Sequence, residues 1–440
     1  MIHYLKKHKT ITLSIITSVI IFCFFAYQLE RRNFYELIFS FSFLFGLFLY
    51  QFNKISSWKL LVFIAIAFRL IFLFAIPNLS QDFYRFIWDG RMLLNGLNPY
   101  LYLPQDFILG NYIIPNQANE LVNGMQELNA SHYSNYPPLN QLCFLIAALL
   151  FNNNILGSII VMRVLLIVAD IGILYIGKKL LISLNLNPKF IFFYLLNPFI
   201  IIELIGNLHF EGFMIFFLLW GIYLFQKGKW KIAALLIACS ISIKLLPLLF
   251  LPLFFSRLKI NELITFYSVI GGLTIIFFIP FLSEELIHNY SKSIGLWFGQ
   301  FEFNGSFHNL IKYIGKQFDV INITKILGKT TPILVFVYVI YLSLKRKIEN
   351  TITLISFMVL TLSFYLFTTA TVHPWYVAML LALSIFTKYR FPLVWSFSIM
   401  LSYSFYRDEN FSNNYLLLFL EYAIVFGYMM YEFTTKKNPA

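Results

Sequence analysis

An all-α, polytopic membrane protein is the fold class this sequence predicts, and three observations predict it. Of the 440 residues, 59% are hydrophobic and only 12% charged, where a soluble domain carries roughly a quarter charged. Apolar runs of the length a helix needs to cross hydrocarbon, about 20 residues and fewer where the bilayer thins, recur along the whole chain. The 52 Phe suit lipid-facing helices, and the 27 Tyr and 7 Trp supply anchors for the membrane interface.

Taken in order, the spans fall at 11–27, 35–50, 58–76, 155–177, 190–206, 211–226, 262–281, 331–345, 352–369, 373–387, 391–405 and 415–432. The stretch 139–151 is short for a crossing and is read as re-entrant. The stretch 231–255 is interrupted by Lys244 and Pro247 and reads as a hairpin of two short helices. The total is 12 spans, or 14 with both hairpin arms counted. Lys6-Lys7-His8-Lys9 ahead of the apolar run from Ile11 to Tyr27 resembles a signal peptide without a small-residue cleavage site, so a retained first helix is expected. Cys23, Cys143 and Cys239 lie in apolar runs with neither CxxC nor metal-ligand spacing, which argues against a disulfide or a zinc site.

Lys and Arg accumulate in cytoplasmic loops. With the N-terminus inside, the clusters Lys54/Lys59, Lys178/Lys179/Lys189, Lys227/Lys229/Lys231, Arg257/Lys259, Lys345/Arg346/Lys347, Lys388/Arg390 and Lys436/Lys437 all fall inside, and Arg31-Arg32 alone dissents. The net charge of +13 is therefore a topology signal. Its scatter in short clusters, without a continuous basic patch, excludes a nucleic-acid partner. The outer face then receives the loop 77–138, the turn 207–211, the hairpin apex near Lys244, a second loop at 282–328, 371–376 and 406–414. With no repeat, linker or soluble segment, 1–440 reads as one membrane domain.

The loop 77–138 carries the densest chemistry. From Phe83 to Leu94 apolar residues recur at helical spacing while Asp82, Arg85 and Asp89 fall on another side, which predicts a short amphipathic helix in the membrane interface, from Asp82 to near Gly96, before Asn98-Pro99. Asp82 at its start is favoured as an anion by the helix dipole and suits a general base, although an N-cap role alone accounts for an Asp there. Arg85 and Asp89, four apart, pair on the exposed face if they have no role in binding.

Tyr136-Pro137-Pro138-Leu139 forms a rigid turn where the chain returns to the bilayer. His209 and Glu211 sit at a tight outer turn and can hydrogen-bond a sugar hydroxyl; two ligands do not make a metal site. Lys244, an ammonium in an apolar run, suits an anion at the hairpin apex. Arg163 and Asp170, seven apart on one helix, are expected to pair internally, and Arg69 poses the same question. His373-Pro374-Trp375-Tyr376 begins a span from outside, as interface anchors or as sugar and phosphate contacts. Phe301 to Asn309 in the second loop mixes aromatics with polar tips, as a carbohydrate groove does.

Asp82, Tyr84-Arg85-Phe86, Trp88-Asp89-Gly90, Gly96, Asn98-Pro99-Tyr100, Tyr136-Pro137-Pro138-Leu139 and His373-Pro374-Trp375-Tyr376, in this order, resemble the GT-C superfamily of integral membrane glycosyltransferases, nearest to bacterial polyprenyl-phosphate-mannose-dependent mannosyltransferases. The resemblance runs from about residue 60 to 390, so residues 1–57 read as two spans added to the core, with 77–138 the catalytic extracytoplasmic loop. It implies a bacterial plasma-membrane enzyme that moves a hexose, mannose first, from a polyprenyl-phosphate donor to a glycan or glycolipid acceptor on the outer face, with inversion and with Asp82 as base. It also implies substrate contacts at Arg85, Asp89, Arg91, Tyr100, Tyr136, His209, Glu211, Lys244, His373, Trp375 and Tyr376. No cofactor is implied, and with Gln81 beside Asp82 in place of a second acid, a divalent metal has no support. A transporter or flippase of lipid-linked saccharide, or an envelope-polysaccharide polymerase or ligase, are the competing classes. The first commonly carries internal repeats, and the second leans on outer-loop arginines that 282–328 does not contain.

Overall fold

A computed structural model describes residues 8–110, 115–299, 301–319, 322–345, 348–407 and 412–435. The basic residues Lys6, Lys7, Arg346, Lys347, Lys436 and Lys437 lie outside the described residues. The protein is all-α and polytopic, and among the described residues the only extended pairing is two isolated bridges from Phe303 and Asn304 to Thr371.

Among the described residues, seven helices are long and apolar enough to cross a membrane: Lys9–Tyr27, Phe34–Lys54, Ile155–Ser183, Ile260–Phe281, Ile323–Lys345, Thr351–Thr368 and Tyr415–Thr435. The other five expected spans are shorter or broken, which reduces the twelve anticipated to seven unbroken ones. The span expected at 58–76 is helical only over Trp58–Ile71, and 211–226 and 373–387 become the short helices Glu211–Gln226 and Pro374–Ser384. At 391–405 an α-helix Phe391–Ser398 passes into a 3₁₀ segment Ile399–Tyr406. At 190–206 the segments Pro188–Leu195 and Pro198–Gly206 meet at 49°. Pro198 has no N–H to continue the ladder, and the Asn197 side chain takes over by accepting from the Phe199 N–H at 3.0 Å and donating to Ser396 at 2.9 Å. The chain from 231 to 255 breaks at Lys244, with the α-helix Trp230–Ile243 before it and the 3₁₀ segment Leu246–Arg257 after it.

Charges inside the apolar layer are matched by tertiary partners. Arg163 and Asp170 do not pair with each other. Asp170 accepts from Arg69 at 2.7 Å, both side chains being buried. Arg163 donates to the carbonyls of Leu73, Ala75, Ile205 and Gly206 at 3.1, 2.7, 2.9 and 2.9 Å. The Ile205 and Gly206 carbonyls end a helical segment, where the last C=O groups have no intrahelical partner and a cation is favoured, and the Leu73 and Ala75 carbonyls lie in the turn just beyond the helix Trp58–Ile71.

The first loop folds around the helix Asp82–Leu94, which packs on Pro138–Leu150 and on Ala118–Ala130. Its crossing with Pro138–Leu150 is so close that a Cβ at Gly90 would lie 2.2 Å from the Phe144 carbonyl oxygen, so only glycine fits there. Phe86 stacks on Phe144 with ring centres 4.7 Å apart. The expected exposed polar face is absent: Arg85 and Asp89 are buried with the apolar side, at 1% and 0% exposure. The loop covers both sides of the helix, so spacing alone misassigns the polar side as solvent-facing.

Candidate active site

Asp82 opens onto a cavity of about 900 Å³. The residue that caps the helix is Gln81, whose side chain makes no capping bond, so capping does not account for the carboxylate at 82. The Asp82 Oδ1 accepts from the Asn129 side-chain amide at 3.1 Å. Burial raises the carboxyl above the ordinary carboxylate range, against the Asn129 hydrogen bond and the charges of Lys244 and Arg31. Such a carboxylate accepts a proton more readily than an exposed Asp.

Across the cavity, Lys244 forms an ion pair with buried Glu211 and lies 5.8 Å from the centre of the Tyr376 ring. Lys244 follows the last residue of its helix in extended backbone, which turns the ammonium out of the apolar run and into the cavity. Leu245, Leu246, Leu248 and Leu249 continue the same wall, so an apolar surface adjoins the cation.

A ring stack forms the third wall. His209 lies on one face of Trp375 with centres 3.6 Å apart, His373 lies on the other at 4.4 Å, and Phe303 covers His373 at 4.8 Å. Phe303 is fixed by backbone bonds to Ala370 at 3.1 Å and from Val372 at 2.8 Å, which ties the second loop to the segment before His373. Burial drives His373 down to about 3 and His209 well below the ordinary histidine range, with the Lys244 charge adding in both. Both rings are therefore neutral at physiological pH. With both faces covered, Trp375 has no face to offer a sugar ring.

Of the twelve residues expected at the site, Asp82, Tyr136, Glu211, Lys244, His373, Trp375 and Tyr376 line this cavity, while Arg85, Asp89, Arg91, Tyr100 and His209 do not. Asp89 accepts from Arg85 at 2.8 Å, Ser134 at 2.5 Å and Gln141 at 2.9 Å. Arg85 also donates to the Asn129 and His132 carbonyls at 2.9 and 2.8 Å. A chain of bonds thus runs from Asp89 through Arg85 and Asn129 to Asp82. Arg91 binds the Asn116 carbonyl at 2.5 Å and Gln117 at 2.9 Å, closing the loop on itself. The Tyr100 hydroxyl donates to the Tyr136 carbonyl at 2.5 Å and so buttresses the turn. His209 touches the cavity wall only from behind, through its stack on Trp375.

Sequence reasoning overlooks Arg31, Asn129 and Gln126, all of which line the cavity. Arg31 donates to Gln81 at 2.6 Å, with its guanidinium 4.1 Å from the centre of the Tyr406 ring. The signal for it was its refusal to follow the other basic clusters to the inner side. Among the described residues, no three His, Cys, Asp or Glu side chains converge as a metal-binding set.

The family model described as "Alpha-(1->6)-mannopyranosyltransferase, N-terminal domain" matches residues 36–258. That stretch holds Asp82, Asn129, Tyr136, Glu211 and Lys244, while Arg31 and His373-Pro374-Trp375-Tyr376 fall outside it. A curated relative, alpha-(1->6)-mannopyranosyltransferase A of Mycobacterium tuberculosis, is 24% identical over 173 residues, 39% of this chain and 32% of that protein. The chain thus matches about a third of the length of that relative.

Proposed function

We propose that this chain, which belongs to the family defined by the alpha-(1->6)-mannopyranosyltransferase N-terminal domain, is a membrane mannosyltransferase. It moves a mannosyl unit from a polyprenyl-phosphate donor to a hydroxyl of a glycan or glycolipid acceptor, at the extracytoplasmic face of a bacterial plasma membrane. The observation that carries this reading is the composition of one cavity: a carboxylate with a raised proton affinity, a lysine, and an apolar wall beside the lysine. An amphiphile with a phosphate between a sugar and a hydrocarbon chain matches that layout, with phosphate toward Lys244 and polyprenyl along Leu245 to Leu249.

The reaction is a single displacement. Asp82 takes the acceptor hydroxyl proton as that oxygen bonds to the anomeric carbon, and the bond from anomeric carbon to phosphate oxygen breaks with its electron pair leaving on the polyprenyl phosphate. An α product formed by inversion requires a β-linked donor. Lys244 meets the charge that develops on the phosphate, held in place by Glu211. His373, being neutral, meets the phosphate as a hydrogen-bonding group and positions Trp375.

The test is to supply the purified chain in lipid with labelled polyprenyl-phosphate β-mannose and envelope glycan extract. Release of polyprenyl phosphate together with label in an α-linked glycan is the expected result. Transfer from a nucleotide sugar in place of the lipid donor would sink the donor assignment.

A further inference from the structure

Adjoining the Asp82 cavity is a second, open chamber of about 380 Å³, within the range of ligand pockets. Its wall is largely polar and includes Glu30, Arg32, Asn123 and Gln126. Arg31, Arg32, Ser80, Gln81, Gln126 and Tyr406 border both spaces. The partition between them is the hydrogen bond from Arg31 to Gln81, the residue directly before Asp82, with the guanidinium packed on the Tyr406 ring.

One further observation falls at the same boundary. Gln126 interrupts the helix Ala118–Ala130 with φ 59° and ψ 172°, a region essentially reserved for glycine. Such a backbone costs on the order of 1–3 kcal/mol and is found at ligand clamps and active sites. Here the strained residue is the one whose side chain borders both spaces. A glycine would adopt that conformation without strain.

We infer that the second chamber is the binding site for the hydroxyl-rich end of the acceptor glycan, with the Arg31–Gln81 contact as the threshold that its reacting hydroxyl crosses to reach Asp82. The inference rests on the glycosyltransferase reading and adds the location and chemical class of the acceptor. Sugar hydroxyls find donors in Arg31, Arg32 and Asn123 and an acceptor in Glu30. The aromatic rings of Tyr84 and Tyr406 in the same wall supply apolar contact. The hairpin between the first two helices, which lies before the family match at residue 36, is thereby part of the machinery of this chain and not an addition to it.

The test uses the full chain in lipid nanodiscs, with an α-1,6-linked mannodisaccharide as the probe. Gln126→Gly removes the amide and relieves the backbone, so it folds at least as well as the parent. Asn123→Trp fills the chamber from an exposed position. Saturation-transfer NMR is expected to show disaccharide contact in the parent protein and its loss in both variants. In the transfer assay the half-saturating disaccharide concentration should rise about tenfold in both variants, the loss of roughly one good contact, with the half-saturating donor concentration unmoved in Asn123→Trp, whose position lies outside the Asp82 cavity. Unchanged acceptor constants in both variants would overturn the inference, as would an absence of disaccharide contact in the parent. Contact that is lost in both variants, in a protein that transfers nothing from polyprenyl-phosphate mannose, would keep the sugar chamber and remove the donor reading instead.

Discussion

Asp89 accepts hydrogen bonds from Arg85, Ser134 and Gln141 in a site closed to solvent, whereas Asp82, two turns earlier on the same helix, accepts from Asn129 and faces a cavity. Both carboxylates lie in one amphipathic repeat, and residue type and spacing do not separate them. What separates them is how far each lone pair is already committed. A carboxylate that already accepts from an arginine, a hydroxyl and an amide, in a site closed to solvent, has most of its lone pairs committed and none facing a substrate. One held by a single amide, in a pocket that raises its proton affinity, has that capacity. The two are also joined, because the Arg85 that neutralises Asp89 fixes the backbone of the Asn129 that holds Asp82.

The largest effect that would sharpen this contrast is expected at Asp82. Asp82→Asn keeps the size and the Asn129 contact but loses the proton acceptor, so turnover should fall by about 10²–10⁴-fold with the melting temperature unchanged. A variant that turns over normally would break the assignment of the base.

Asp89→Asn should do the reverse. It strands the buried Arg85 guanidinium and should destabilise the protein by about 3–5 kcal/mol, the cost of breaking a buried pair from one side, seen as a lower melting temperature in detergent. Any activity loss should track that unfolding and the displaced Asn129. An Asp89→Asn protein that melts like the parent yet is inactive would make Asp89 the reacting group.

The smallest effect is in the pH profile. Asp82 works as the anion, so kcat/KM should fall as pH drops through its pKa, and because burial raises that pKa the acid limb should lie above the ordinary value of about 3.9. His373, near 3, should add no limb between pH 5 and 8. An acid limb above the ordinary carboxylate range that survives in His373→Gln is the result expected for Asp82. One that disappears in His373→Gln would transfer the titration to the histidine and undo the contrast.

Much of this arrangement is legible along the chain. Apolar runs give seven of the helices, and the side preference of basic clusters groups the six segments whose residues meet at the cavity. Asp82, Glu211, Lys244 and His373 are each visible as polar residues at the edge of apolar runs. Their pairing is not, because Lys244 and Glu211 are 33 residues apart and Arg69 and Asp170 are 101 apart, and nothing local encodes a tertiary partner. The same limit explains Arg85 and Asp89. Periodicity reports two sides of a helix, but only the packing of 118–150 around it decides that both sides are interior. Arg31 is the instructive miss, since an exception to a topology rule marks a residue held where it is for another reason.

Arg163 answers carbonyls far from it along the chain. The Leu73 and Ala75 carbonyls it receives lie 90 and 88 residues upstream, and an unmatched arginine in a membrane helix costs about 2.5–3.5 kcal/mol at a helix centre. Each defect is the remedy for the other. The Arg163 contacts tie the chain just after Trp58–Ile71 to the helix Ile155–Ser183, and so hold together the two ends of the stretch that carries Asp82.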